Sequence, residues 1–404
     1  MTPTGSVLGP CLGGFERCLR GRGYLSTTIG KYLVKCQTFD SFLVQRGVGL
    51  ASLDTTRVEE FVADTLGQRR HRDERAAWRS WIRPLRLLWE YLQGAGLAPT
   101  SPPPGPSDPP LLVDYLGFLR EHRGVCEQTV EDQQRHLRRF RDHLGETSEP
   151  DALARLSVAQ VDGFLVERSR HLSRPSINSA CAALRGFLRY LHMRGLLERD
   201  LAGQVSRPRL YSLATLPRAI EWRDVERTVA LADRRTLVGC RDYAMLVLLA
   251  YCGLRAGEVA RLRLEDLDWS HDTIHLHRPK RRTIDLLPLV PLVGEALVDY
   301  LRRRPASSSP QVFLKVLAPA GPVTRPCITW MARKYLLRAG VTRPRLGAHT
   351  LRHSYAVRLL RQGFPLKTIG DALGHQHPQS TFIYTKAAVE DLRAVSLDLT
   401  EVLP

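Results

Sequence analysis

The sequence predicts a mainly helical protein with one small β-hairpin, an α+β arrangement in which helical modules precede a larger C-terminal domain. Three observations carry this. Two stretches about 100 residues apart repeat the same apolar positions at helical spacing. The segments 273–277 and 283–287 alternate like two paired strands. The run from Arg241 to Tyr251 reads as a buried helix.

Each element follows from local signals. In the first module Thr28-Ile29, Phe39 and Leu43, then Leu85-Arg86, Tyr91-Leu92 and Gly96-Leu97, set the pattern. It recurs as Thr129-Val130, Phe140 and Leu144, then Leu184-Arg185, Tyr190-Leu191 and Gly195-Leu196. Such self-similarity implies one small helical bundle used twice. The proline-rich stretch 99–110 cannot continue a helix or a central strand, so it is expected to be an extended linker between a module at 1–98 and another at 111–204. A connector at 205–217, with Pro208 and Pro217 among basic residues, suits a strap ahead of a domain at 218–404. In that domain the helix through Tyr251 stops at Gly253, which leaves Leu254-Arg255 in the turn before a helix bearing Glu258. The hairpin strands are joined by Arg278-Pro-Lys-Arg-Arg282. A helix carrying His349 and Arg352 turns Leu351, Ala356, Leu359 and Leu360 to the core and ends at Gly363 and Pro365. After Tyr384, Val389, Leu392, Val395 and Leu399 keep helical spacing, which suits docking on a neighbouring protomer or packing in cis.

A formal net charge of +18 over 404 residues favours a polyanionic partner, because each neutralised phosphate releases counterions. The longest apolar run, Ala244 to Cys252, is far short of the roughly 20 residues that span a bilayer. The opening Met1-Thr-Pro-Thr-Gly-Ser-Val has neither a basic nor an apolar signal region, so a cytoplasmic location is expected. The eight cysteines are dispersed without a C-x-x-C pair and read as reduced thiols rather than a disulfide frame or zinc site. No clustered Asp and Glu suggest a Mg²⁺ site, so neither metal nor cofactor is expected.

In the second module the basic helix Gln134-Arg-His-Leu-Arg-Arg-Phe-Arg141 offers Arg135, Arg138, Arg139 and Arg141 to DNA phosphates, or is a solvated charged face. Arg174, Ser176 and Asn178 open the helix starting near Ser173, where free N–H groups hold a phosphate or ordinary capping explains the same residues. In the first module, Gln68-Arg-Arg-His-Arg72 leans towards DNA. Lysine is rare: of 59 Lys and Arg residues seven are lysine, and Lys280 alone lies between Lys35 and Lys315. A site choosing lysine among arginines needs a proton it can release, since guanidinium stays protonated. Arg281 and Arg282 beside it can contribute only charge.

Five polar residues in three strings carry the functional reading: Cys252-Gly-Leu-Arg-Ala-Gly-Glu258, His349-Thr-Leu-Arg-His-Ser354, and Leu373-Gly-His375 followed nine residues later by Tyr384. In this order and spacing the chain resembles the tyrosine recombinases, the family of phage integrases and Xer-type resolvases, over roughly residues 110 to 390. The resemblance implies helical DNA-binding domains ahead of a recombinase catalytic domain, with 111–204 as the core-binding module and 1–98 as an arm-type DNA-binding or protein-contact module. It implies that Arg255 and Arg352 clamp the scissile phosphate, Glu258 supports Arg255, His349 exchanges the proton of the nucleophile, His375 bonds the phosphate, Lys280 protonates the leaving 5′ oxygen, and Tyr384 attacks. His353 is assigned to packing, and His377 competes with His375. Pro279 and Arg281 replace glycines usual in the family, and Asp285 stands where a basic residue is frequent.

The function so implied is site-specific cleavage and rejoining of double-stranded DNA through a 3′-phosphotyrosyl intermediate. It would be carried out by a homotetramer, alone or with other recombinases or accessory proteins, for integration, excision or transposition of a mobile element in a prokaryotic nucleoid. A type IB topoisomerase and a catalytically inactive DNA-binding accessory protein are the alternatives.

Overall fold

A computed structural model of the protein describes residues 5–67, 74–99, 108–145, 153, 156–209, 218–278, 283–375 and 377–386. Two compact units are present, one formed by 1–100 together with 215–404, the other by 101–214. The first unit begins with four helices: α1 (Gly9–Gly21), α2 (Ser26–Gln45), α3 (Thr55–Gly67) and α4 (Glu74–Gly94). Their core holds Phe15, Ile29, Phe39, Leu43, Leu85 and Leu92, the apolar positions that define the repeat among them.

The second unit repeats the arrangement with α5 (Pro110–Glu121), α6 (Glu127–Leu144), α7 (Val158–Ser169) and α8 (Arg174–Met193). Val130, Phe140, Leu184 and Leu191 are buried in its core at the positions equivalent to those of the first module. A capping box starts α7: Ser157 Oγ accepts from the Gln160 N–H and Gln160 Oε1 accepts from the Ser157 N–H, satisfying two otherwise orphaned donors.

The C-terminal part of the first unit adds α9 (Trp222–Ala230), α10 (Leu237–Tyr251), α11 (Ala256–Arg261), β1 (Leu267–Asp268), β2 (Thr273–Arg278), β3 (Thr283–Pro288), α12 (Pro291–Leu301), α13 (Arg325–Arg338), α14 (Ala348–Arg361), α15 (Leu366–Leu373) and α16 (Gln379–Phe382). Helix α10 is apolar all round because it runs through the centre of the largest core, with every residue from Ala244 to Ala250 buried. It begins four residues before the expected start at Arg241, since the Thr236 hydroxyl accepts from the Gly239 N–H and caps it. The strands form an antiparallel sheet in the order β1-β2-β3, with Ile274 opposite Leu287 and Leu276 opposite Asp285. Period-two alternation turns Ile274 and Leu276 inward and leaves Ile284 and Leu286 exposed.

Within this unit the N-terminal helices meet the segment after α12. The Ala320 N–H donates to the Arg22 carbonyl at 3.0 Å, and Arg83 Nη2 donates to the Ala318 carbonyl at 3.2 Å. Ala318 itself packs on the N-terminal core. Among the described residues no helix is long and apolar enough to cross a membrane.

Candidate active site

Two sharp turns and one helix build the site. Helix α10 breaks at Gly253, whose φ of +62° is left-handed, and a β-carbon there would lie 2.5 Å from the Tyr355 ring. Only glycine allows this turn. Extended backbone at Arg255 then starts α11, and Glu258 closes back on it: Oε2 accepts from the Arg255 N–H and Oε1 from Arg255 Nη1, each at 2.8 Å. Burial pushes the Glu258 carboxyl up, but the Arg255 backbone and side chain with Arg278 outweigh it and hold the group below the usual carboxylate range. Glu258 and Arg255 thus form a charge-assisted clamp.

The second turn closes α15 at Gly374, again left-handed at φ +62°. Arg255 Nη2 donates to the Gly374 carbonyl at 3.2 Å. Arg352, on α14 and 3% exposed, donates from Nη1 to the Gly253 carbonyl at 2.5 Å and from Nη2 to the Leu373 carbonyl at 2.6 Å. The two arginines thus fasten the Gly253 turn and the Gly374 turn to one helix. Burial first, then the nearby Arg255, lowers the Arg352 pKa to about 10, so the guanidinium remains charged at neutral pH.

Tyr384 follows α16 and is 1% exposed. Its hydroxyl lies 3.0 Å from Nδ1 of His353, and its ring stacks on that of His375 at 6.2 Å between centroids. The imidazole read from sequence as packing is therefore the one on the phenol. Sequence spacing concealed this because His349 and His353 lie one turn apart on the same face of α14. Burial drives the His353 pKa down to about 4, with His349, Arg352 and Arg218 adding to it. His375 falls to about 4 for the same first reason, with Arg352 and Arg255 next. His375 Nδ1 is 2.8 Å from the Thr381 hydroxyl, which fixes its ring. Burial, then four arginines led by Arg352, lowers His349 too. All three imidazoles are thus biased towards the neutral form. Burial raises the Tyr384 pKa while Arg352 and Arg255 oppose it, so the phenol is stored protonated beside two cations that favour its anion.

Lys280, Arg281 and Arg282 lie outside the described residues. In the second unit, Arg138 is held by the Asp108 carboxylate at 2.7 and 3.0 Å, while Arg135 pairs with Asp132 and Arg141 with Asp142. Arg139 and Arg174 are exposed. Ser176 Oγ is 3.0 Å from Ser173 Oγ, and Asn178 is half-buried on α8.

This set of groups can stabilise negative charge on a phosphate, hold a phenol ready and move its proton. Comparison with known proteins agrees. Residues 219–391 match the phage integrase family and 112–195 the phage integrase N-terminal SAM-like domain. A Sinorhizobium fredii protein named for the integrase/recombinase class, y4rA, is 35% identical over 391 residues, covering 95% of this chain and 92% of that one. The tyrosine recombinase XerD of Listeria monocytogenes is 30% identical, covering 68% and 93%. The solved XerH site-specific recombinase in its pre-cleavage complex shares the fold at TM-score 0.54 and 17% identity, covering 77% and 88%. Fold and site thus define a tyrosine-type site-specific recombinase, an enzyme that breaks and rejoins strands. The chain belongs to the phage integrase family. These relatives support recombination over the topoisomerase and inactive-accessory alternatives.

Proposed function

We propose that this recombinase acts on specific sites in double-stranded DNA with Tyr384 as nucleophile. The phenolic oxygen attacks phosphorus in line, the P–O5′ bond breaks, and the leaving oxygen takes a proton from Lys280. A 3′-phosphotyrosyl bond and a 5′ hydroxyl result, and attack by another strand's 5′ hydroxyl reverses the step without an external energy source. Arg255 and Arg352 bind the non-bridging oxygens, His375 donates to the phosphate, and the phenolic proton passes to the α14 histidines. The observation that carries this is the Tyr384 hydroxyl lodged against His353 with the Arg352 and Arg255 charges acting on it.

The domain at 218–404 performs the chemistry, and the module at 111–204 grips core DNA through Arg139, Arg174 and their neighbours. The module at 1–98 serves as an arm-type DNA-binding or protein-contact element. Four protomers hold two sites and exchange strands in pairs, in the service of a mobile element of a prokaryotic cytoplasm. A nicked core-site duplex, on which cleavage traps the covalent adduct, provides the test. Tyr384→Phe is expected to bind DNA as the parent does and yield no adduct. A residual adduct in that variant would transfer the nucleophile elsewhere, first to Tyr355.

A further inference from the structure

The hairpin ends in a guanidinium that the chemistry above leaves unused. Arg278 closes β2 two residues before Lys280 and is only 5% exposed. Alternation along the strand sets it on the inward side with Ile274 and Leu276. Among the described residues, three groups lie beside it. Its Nη1 is 2.7 Å from Oδ2 of Asp285 on β3, and its Nε is 3.5 Å from Oε1 of Glu258, the same oxygen that accepts from Arg255. Its terminal nitrogens fill the space beside Gly374, where a β-carbon would come within 0.8 Å of Nη1. Taking a cation out of water is costly, and a lone ion pair here would gain little over apolar packing. A planar fork that meets carboxylates on two different elements at once is suited to fixing their relative position.

We infer that Arg278 is a positioning residue that pins the end of β2, at the last β2–β3 pair before the connection, to the carboxylate orienting Arg255 and to the turn presenting His375. The lysine-bearing turn thereby starts from a fixed point relative to the phosphate clamp. Lys280 follows Arg278 by two residues in the sequence, so a shift of Arg278 is passed on to the segment that carries the lysine. This rests on the proposed roles of Tyr384 and Lys280. It adds a residue that neither clamps the phosphate nor donates the proton, and it explains why Asp285 is acidic: a carboxylate on β3 completes the bridge that begins on β2.

The test uses the full chain with Arg278→Met, which keeps bulk without charge, and Arg278→Lys. Cleavage is measured on two nicked duplexes, one with the ordinary 5′ oxygen and one with a 5′-bridging sulfur, which leaves without protonation. Displacing a proton donor by about 1 Å can cost on the order of 100-fold. Arg278→Met is expected to lose roughly that much on oxygen and to regain most of it on sulfur, with DNA affinity near the parent's and a lowered melting temperature, because Glu258 and Asp285 lose a buried partner. Arg278→Lys should restore little, because a point charge cannot hold two carboxylates in register. Amide exchange in β2 and β3 of the free protein, which needs no activity, should quicken in Arg278→Met. Equal losses on both substrates, or unchanged exchange in the strands, would overturn the inference. A parent protein that forms no adduct with either duplex would instead overturn the nucleophile reading, and the exchange result would still decide whether Arg278 pins the hairpin.

Discussion

Replacing His353 by Asn separates the two things its ring does for Tyr384. The Asn Oδ1 can occupy the place of Nδ1, 3.0 Å from the phenolic oxygen, and so keep the hydroxyl bonded. It cannot take up a proton near neutral pH. If His353 is the first acceptor, loss of general-base catalysis should slow covalent capture by about 10²- to 10⁴-fold, equivalent to roughly 3–5 kcal/mol of barrier. Binding and stability should barely change. His353→Ala should show the same slowing plus a destabilisation of about 1–3 kcal/mol, because the hydroxyl of a side chain 1% exposed loses its partner. The assay is single-turnover adduct formation on the nicked duplex, paired with thermal melting and DNA titration. His349→Asn serves as the companion variant, since that residue holds the same face one turn earlier. A His353→Asn enzyme within about threefold of the parent rate, with His349→Asn the slower of the two, would refute the reasoning and return the proton to His349.

Other expectations follow from the same geometry. Lys280→Ala should lose cleavage on the oxygen substrate and recover on the bridging-sulfur one, whereas Arg281→Ala and Arg282→Ala should weaken binding without that rescue; equal behaviour of the three would remove Lys280 as the acid. A fragment starting at Leu111 forfeits the Ala320–Arg22 and Arg83–Ala318 hydrogen bonds but is expected to fold, bind core sites and cleave, and an inert or unfolded fragment would show that the N-terminal helices are needed by the C-terminal half. Acid should destabilise the C-terminal half. His353 sits at about 4 against an ordinary 6.5, so the unfolded chain binds the extra proton; the contribution is fully present above pH 6.5 and is lost as pH falls towards 4. The gap corresponds to about 3 kcal/mol for that one histidine. Melting curves at pH 7.5 and 4.5 should differ accordingly, and His353→Phe should narrow the difference.

Much of this was readable from residue order because it rests on local rules. Gly253 and Gly374 announce the two turns, alternation announces β2 and β3, and the recurrence of Phe39 as Phe140 announces the duplicated bundle. What stayed hidden depends on contacts between distant segments. His353 and Tyr384 are separated by 31 residues, and nothing in either string says which of two histidines one turn apart the phenol will meet. Arg278, read from sequence as the first residue of the connection, instead ends β2 on the buried side with Ile274 and Leu276, and its partner Glu258 comes from a helix the hairpin pattern does not mention. The contact of Ala318 with the N-terminal core leaves no mark in the sequence at all.

Arg352 holds the Gly253 and Leu373 carbonyls with the same guanidinium assigned to the phosphate. Architecture and chemistry are therefore selected through one side chain, and they decay at different speeds. A copy released from the need to cut DNA, yet still required to fold, would be free to change Tyr384 while remaining bound to keep Arg352, Arg255 and both turn glycines. Counting retained arginines would then mistake such a relic for a working enzyme. The tyrosine, whose change to phenylalanine keeps the buried ring and removes only the hydroxyl, is the position at which a decayed copy would first betray itself.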